Sequence, residues 1–250
     1  MSSAGAVCVL TAAGGGSRLR AEKPKALVDL AGRSLLSWAL SGLAKSGCVS
    51  AIVVTAPADN LEAFEKEISS AAVDLPVTVV AGGRSRQESV ANGLEAVAEL
   101  CGKTQIPLGP DTPTLVHDAA RPLTPPALIA SLVEAVAGGK AAVIPALPVT
   151  DTIKVVEPAD GIARVVDTPP RALLRSVQTP QAFRWELINQ VHEKGRHLGA
   201  EESASVTDDA GLVEMFGGQV WVVPGSPEAL KITTEPDLIR AQSLVKGRVF

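Results

Sequence analysis

The chain has 250 residues, a formal net charge of −4, 46% hydrophobic and only 3% aromatic residues. That length accommodates one large α/β domain or two small ones, and the acidic balance gives no general attraction to nucleic acid. Cys8, Cys48 and Cys101 lie far apart with no C-x-x-C, Met1–Ala6 lacks a basic n-region, and no apolar run approaches a membrane span, so a reduced, cytoplasmic chain with no membrane or nucleic-acid partner is expected.

Ala6–Leu10 is a short apolar run ending at glycines and reads as a buried strand. Ser34–Lys45 follows with helical periodicity and Ser34 as N-cap. Strands are then expected at Ala51–Thr55, Pro76–Val80, Thr114–His117 and Ala141–Ile144, with helices at Asp59–Ser70, Arg86–Leu100 and Pro125–Ala137. Alternation of this kind implies βαβ units and a parallel sheet covered on both faces. The expected fold is α/β, a Rossmann-like, doubly wound and mostly parallel sheet, with loops after the strands as the place for chemistry.

Residues 148–175 break that rhythm. Thr152–Val156, a turn from Pro158 to Gly161, and Ile162–Val166 predict an inserted β-hairpin arm. Phe183–Lys194 reads as helix, Gln219–Val223 as strand, Ala229–Ile232 as a late strand carrying Lys231, and Pro236–Lys246 as the closing helix. One domain over 1–250 with a protruding arm is the resulting count.

The stretch from Thr11 to Lys25 carries the strongest signal. It follows the first strand, and Gly14, Gly15 and Gly16 allow backbone N–H groups to wrap an anion closely. Arg18, Arg20, Lys23 and Lys25 against Glu22 make a local charge of +3 in an acidic chain, a focus suited to a triphosphate. A Walker A loop is excluded because no Gly-Lys-Ser/Thr occurs in this stretch, and the dinucleotide fingerprint fails because Leu19 stands where its third glycine belongs.

Ala12-Ala13-Gly14-x-Gly16-x-Arg18-Leu19 with Pro24-Lys25 resembles the loop of nucleotidyltransferases that activate sugars and alditol phosphates. Further stretches resemble one branch, the 2-C-methyl-D-erythritol 4-phosphate cytidylyltransferase family. They are Gly82-Gly83-x-x-Arg86-x-x-Ser89-Val90, Val116 to Pro122, Asp151 to Lys154, Gln178-Thr179-Pro180-Gln181, Thr207 to Ala210 and Lys231-Ile232-Thr233. They keep the family's order over nearly the whole chain. Thr11, Leu19 and Ala26 depart from its usual Pro, Met and Gln.

The resemblance implies attack of the acceptor phosphate on the α-phosphorus of CTP with release of pyrophosphate. It makes Arg18, Lys25 and Lys231 the cations at the reacting phosphate, and Asp118 the ligand of a Mg²⁺ cofactor. It gives Ala12, Ala13, Gly14, Gly16, Gly83 and Ser89 to the nucleotide. Thr152, Arg171, Thr179, Thr207 and Asp209 go to the acceptor side, with Asp209 near the metal-side network. It also implies a homodimer in which the arm reaches the partner's site. Read from the residues, Thr152 equally suits a strand, and Thr207 and Asp209 equally suit capping of a short helix. His117 reads as packing and Arg121 as an organiser of its loop. The alternatives are a cytidylyltransferase for another alditol phosphate such as ribitol 5-phosphate, or a non-catalytic nucleotide-binding protein.

Overall fold

The structure, a computed structural model, describes residues 5–14, 23–157, 159–196 and 206–247. Strand β1 (Ala6–Thr11) is buried from Ala6 to Leu10, as a central strand covered on both faces must be. A small hairpin, β2 (Asp29–Leu30) with β3 (Arg33–Ser34), leads into α1 (Leu35–Lys45). Then follow β4 (Val49–Ala56), α2 (Leu61–Ala71), β5 (Val77–Ala81), α3 (Arg86–Thr104), β6 (Pro113–Asp118), α4 (Pro126–Ala137) and β7 (Ala142–Pro148). β1 pairs in parallel with β4 and β6, and β5 continues in parallel beyond β4. The strand direction therefore brings Thr11, Ala56, Ala81 and Asp118 to one edge of the sheet.

The remaining elements are β8 (Val155–Val156) and β9 (Val165–Asp167), which pair only with each other as the arm, then β10 (Arg175–Val177) and β11 (Gln181–Arg184). They are followed by α5 (Trp185–Gly195), α6 (Asp209–Met215), β12 (Trp221–Pro224) and α7 (Glu235–Gly247). The expected helix from Phe183 begins instead at Trp185. Gln181–Phe183 are fully buried as an antiparallel strand between β6 and β7, so tertiary pairing overrides the local pattern. β10 and β11 follow one antiparallel course along β7. Val177 faces Ala146 and Ala182 faces Val143, so five steps answer three, a bulge around Thr179–Pro180. The segment carrying Lys231, expected as a strand, is an extended loop joined to Ala120 O by Ile232 N at 2.8 Å.

The period-two alternation of β1 divides the core. Cys8 and Leu10 face α1, α2 and α4 through Leu36, Leu40, Phe64 and Leu132, whereas Val7 and Val9 face α3, α5 and α6 through Val90, Leu94, Ile188 and Leu212. Gly93 permits the second contact, since a Cβ there would lie 2.4 Å from Val9 Cγ1. Trp38, Leu30 and Leu123 join Ile232 and α7 in a third cluster. Ser34 caps α1 by accepting from Ser37 N at 2.9 Å, as its position ahead of the helical pattern predicts.

Candidate active site

A cleft of about 450 Å³ opens at the carboxyl ends of β1 and β6, where the strand order reverses direction. Its floor is Thr11, Ala12, Ala13 and Gly14, with Ala119 and Ala120 beside them. Lys25 enters from the turn after Pro24, Gly83 to Arg86 and Ser89 from the start of α3, and Lys231 from the loop before α7. Ser85 caps α3 by accepting from Glu88 N at 3.0 Å, and Ser89 Oγ accepts from Gly83 N at 3.0 Å, so the α3 start and the loop before it hold one shape. Gly82 lets that loop lie against the floor, since a Cβ would sit 2.5 Å from Ala13 Cβ.

Two buried carboxylates organise the cations. Asp118 ends β6 directly opposite Thr11, whose hydroxyl donates to Oδ1 at 3.1 Å. Lys231 Nζ lies 2.7 Å from Asp118 Oδ2, and Arg86 Nε 3.8 Å from Oδ1. The other end of the guanidinium, Nη2, lies 2.7 Å from Asp209 Oδ2, and His192 Nε2 lies 3.0 Å from Asp209 Oδ1. Burial alone would raise the Asp118 carboxyl, but Arg86 and Lys231 outweigh it and hold it down at about 2. Asp209 follows the same logic: burial opposes its charge, yet Arg86 and His192 keep it below the usual carboxylate range. Burial likewise opposes Arg86, whose value is nonetheless raised by Asp209 and Asp118.

Behind this layer, Thr179 Oγ1 accepts from Asp118 N at 3.0 Å and shares a hydrogen bond with His117 Nδ1 at 2.9 Å. Burial pushes His117 down to about 4, which keeps it neutral near pH 7. Arg121 donates to Ala229 O at 2.6 Å and Val177 O at 3.3 Å, joining the loop after β6 to the Lys231 loop.

The structure thus brings Ala12, Ala13, Gly14, Lys25, Gly83, Ser89, Asp118 and Lys231 into one cleft, with Thr179 and Asp209 buried just behind it. Gly16 and Arg18 lie outside the described residues. Thr207 is exposed next to Asp208. The cap of α6 is Asp208, which accepts from Gly211 N at 2.8 Å, so capping falls to neither Thr207 nor Asp209. Thr152 and Arg171 are exposed at the base of the arm, with Arg171 donating to Thr150 O at 2.7 Å, and neither lines the cleft of its own chain.

The sequence names Arg86 in the Gly82-to-Val90 stretch and as the start of a helix, but no site role is read from it there. The signal was available: an arginine at the first helical position opposes the helix dipole and calls for an acidic partner.

Taken together, a glycine-bearing floor at the strand ends, with Lys25, Arg84, Arg86 and Lys231 around a single carboxylate among the described lining residues, defines a nucleotidyltransferase-type site for a polyanionic substrate. The model for the family described as IspD, 2-C-methyl-D-erythritol 4-phosphate cytidylyltransferase, matches residues 6–247. The chain belongs to this family. It is 45% identical over 239 residues to the 2-C-methyl-D-erythritol 4-phosphate cytidylyltransferase of Saccharopolyspora erythraea, covering 96% of this chain and 98% of that one. It is 46% identical over 242 residues to that of Rhodococcus jostii, covering 96% and 95%. Among solved structures, that of 4-diphosphocytidyl-2C-methyl-D-erythritol synthase from Anaerococcus prevotii superposes with a TM-score of 0.76 at 28% identity over 96% of this chain and 98% of that one. That of 2-C-methyl-D-erythritol 4-phosphate cytidylyltransferase from Thermus thermophilus gives 0.70 at 32% identity, covering 97% and 98%.

Proposed function

We propose that the chain transfers CMP from CTP to 2-C-methyl-D-erythritol 4-phosphate in the cytoplasm, giving 4-diphosphocytidyl-2-C-methyl-D-erythritol and pyrophosphate for non-mevalonate isoprenoid synthesis. The observation that carries this reading is the convergence of Lys25 and Lys231 with Asp118 on a glycine-bearing floor, in a chain that belongs to the family. No described helix is long and apolar enough to cross a membrane.

An oxygen of the acceptor phosphate forms a bond to the α-phosphorus of CTP as the bond to the β-phosphate oxygen breaks. Both reactants are anions, so the chain's part is to hold them in line and offset charge that spreads in the transition state. Lys25 and Lys231, with Arg18 from the loop ahead of Lys25, take that role. The backbone around Ala12 to Gly14 and the Gly83–Ser89 corner receive the cytidine, with Gly16 completing the loop.

The residues fit a Mg²⁺ ion of the kind that binds nucleoside triphosphates. Asp118 is an ionised oxygen donor facing the cleft. Among the described residues no cluster of three or more His, Cys, Asp or Glu gathers, so the remaining ligands would be phosphate and water oxygens. When bound, the ion supplies charge neutralisation at the triphosphate.

The acceptor is assigned to Thr207 from one chain, with Thr179 and Asp209 acting from behind the cleft wall, and to Thr152 and Arg171 from the arm of a two-fold partner. Two observations support a homodimer: Thr152 and Arg171 do not line their own cleft, and the arm exposes Val155, Val156, Ile162, Val165 and Val166.

The test is Mg²⁺-dependent pyrophosphate release from CTP, with methylerythritol 4-phosphate and ribitol 5-phosphate run side by side. Release with the first alone is expected. Release with only the second would move the acceptor, and release with neither would overturn the reading.

A further inference from the structure

The stretch Gln178-Thr179-Pro180-Gln181 sits in the bulge between β10 and β11, and neither of its two glutamines lines the cleft. Gln178 is buried, with its backbone N tied to Pro145 O at 2.8 Å. Its side-chain amide clasps the loop that carries Lys231. Nε2 donates to Ser226 O at 2.8 Å and to Ala229 O at 3.4 Å, while Oε1 accepts from Ser226 N at 3.0 Å. The neighbouring Gly225 leaves room for that amide, since a Cβ there would lie 2.3 Å from Gln178 Oε1. Gln181 is fully buried and does the same for another segment. Its Nε2 donates to Asp208 Oδ2 at 2.7 Å and its Oε1 accepts from Ala210 N at 3.1 Å, on either side of Asp209.

The Lys231 loop has no strand partner to fix it. Its other polar ties include Ile232 N to Ala120 O, Gly225 N to Ala146 O and Arg121 to Ala229 O, and within the turn Ala229 N to Ser226 O at 3.0 Å and Glu228 N to Ser226 Oγ at 3.2 Å. A lysine on a flexible stem takes its position from its backbone, so whatever fixes residues 226–229 fixes the ammonium beside Asp118.

We propose that Gln178 is a positioning residue for the transfer reaction. Its amide holds the Ser226–Ala229 turn so that Lys231 stays at Asp118 and in reach of the reacting phosphate, while Gln181 sets the Asp209 segment independently. The inference rests on the role given to Lys231 above.

Gln178→Met keeps the volume and removes all three bonds. Gln178→Glu keeps the acceptor for Ser226 N but turns a second oxygen toward two carbonyls. If either variant melts below the assay temperature, the other carries the test. Two readouts separate this proposal from the functional reading. The first needs no turnover: acetylation of lysines by a dilute succinimidyl ester, followed by mass spectrometry. In Gln178 variants Lys231 should be modified at least threefold faster, with Lys66 and Lys103 unchanged. Equal rates at Lys231 would overturn the proposal, whatever reaction the enzyme performs.

The second is a double-mutant cycle on pyrophosphate release. Gln178→Met should lower kcat about tenfold in the parent and less than twofold in Lys231→Ala, because the group it positions is already gone. Gln181→Met should keep its full effect in Lys231→Ala. Equal losses from Gln178→Met in both backgrounds would reduce Gln178 to general scaffolding and sink the proposal.

Discussion

Replacing Arg86 by Met is expected to expose how much the cleft depends on one guanidinium. Asp209 is buried with its side chain 1% exposed, and among the described residues it meets the guanidinium of Arg86 at 2.7 Å and the ring nitrogen of His192 at 3.0 Å. Removing one partner of a buried pair costs about 3–5 kcal/mol, because the remaining charge is left without compensation. His192 still faces Oδ1, and the Arg86 side chain is 31% exposed, so water reaches its end of the pair. Both facts place the expected loss at the lower end, about 3 kcal/mol, or roughly 6–12 °C in melting temperature for a chain of this size. Thermal melting by circular dichroism, paired with urea unfolding, measures it. Adding Asp209→Asn to Arg86→Met removes the orphaned charge and should recover about half of the loss. An Arg86→Met variant melting within about 2 °C of the parent, or a double variant no better than the single, would refute the claim that this pair is coupled through burial.

Lys25→Ala and Lys231→Ala should each lower kcat by roughly 10²-fold or more, the scale of one lost transition-state contact, and near-parent turnover in either would remove that residue from its role. Asp237 accepts from the N–H and hydroxyl of both Thr233 and Thr234. Burial opposes its charge, but these bonds hold the carboxyl down at about 2. A depressed carboxyl stabilises above its unfolded value, so Asp237→Ala should cost about 1 kcal/mol at pH 7, discounted for solvent screening, and the gap to the parent should close as pH falls from about 4 toward 2; a gap independent of pH would contradict the ionised cap. Under the proposed two-chain site, mixing inactive Arg171→Ala protein with inactive Lys25→Ala protein should restore activity through hybrid sites, and no recovery after confirmed subunit exchange would argue for a site within one chain.

The parallel half of the fold was legible because β1, β4, β5 and β6 are short apolar runs bounded by turn signals, and Ser34 stands where a cap belongs. The antiparallel half was not. Gln181–Arg184 is a four-residue strand whose two central residues, Ala182 and Phe183, carry no periodicity, and only burial between β6 and β7 makes it a strand. Ala229–Ile232 misled in the opposite direction: its apolar character comes from packing of Ala229 and Ile232 beneath the cleft, not from a ladder. The residues that converge on the cleft came from the family resemblance. Their mutual support did not, because Arg86, His192 and Asp209 span 123 positions along the chain and meet only through α3, α5 and α6.

That support bears on how an acidic chain sustains a cationic cleft. The described lining holds Lys25, Arg84, Arg86 and Lys231 against Asp118 alone, in a chain of net charge −4. Lys231 and Arg86 are each held by a carboxylate that stays ionised despite burial. Their charge is thereby fixed in place before any substrate arrives, which is the condition for electrostatic stabilisation without reorganisation at the moment of reaction. Lys231 is the more adaptable of the two, with 44% of its side chain exposed and its partner at the cleft wall. An incoming phosphate offers it a second anion rather than a first. Under the proposed reaction, the backbone held by Gln178 and Arg121 keeps the ammonium at Asp118 while its exposed side meets that phosphate.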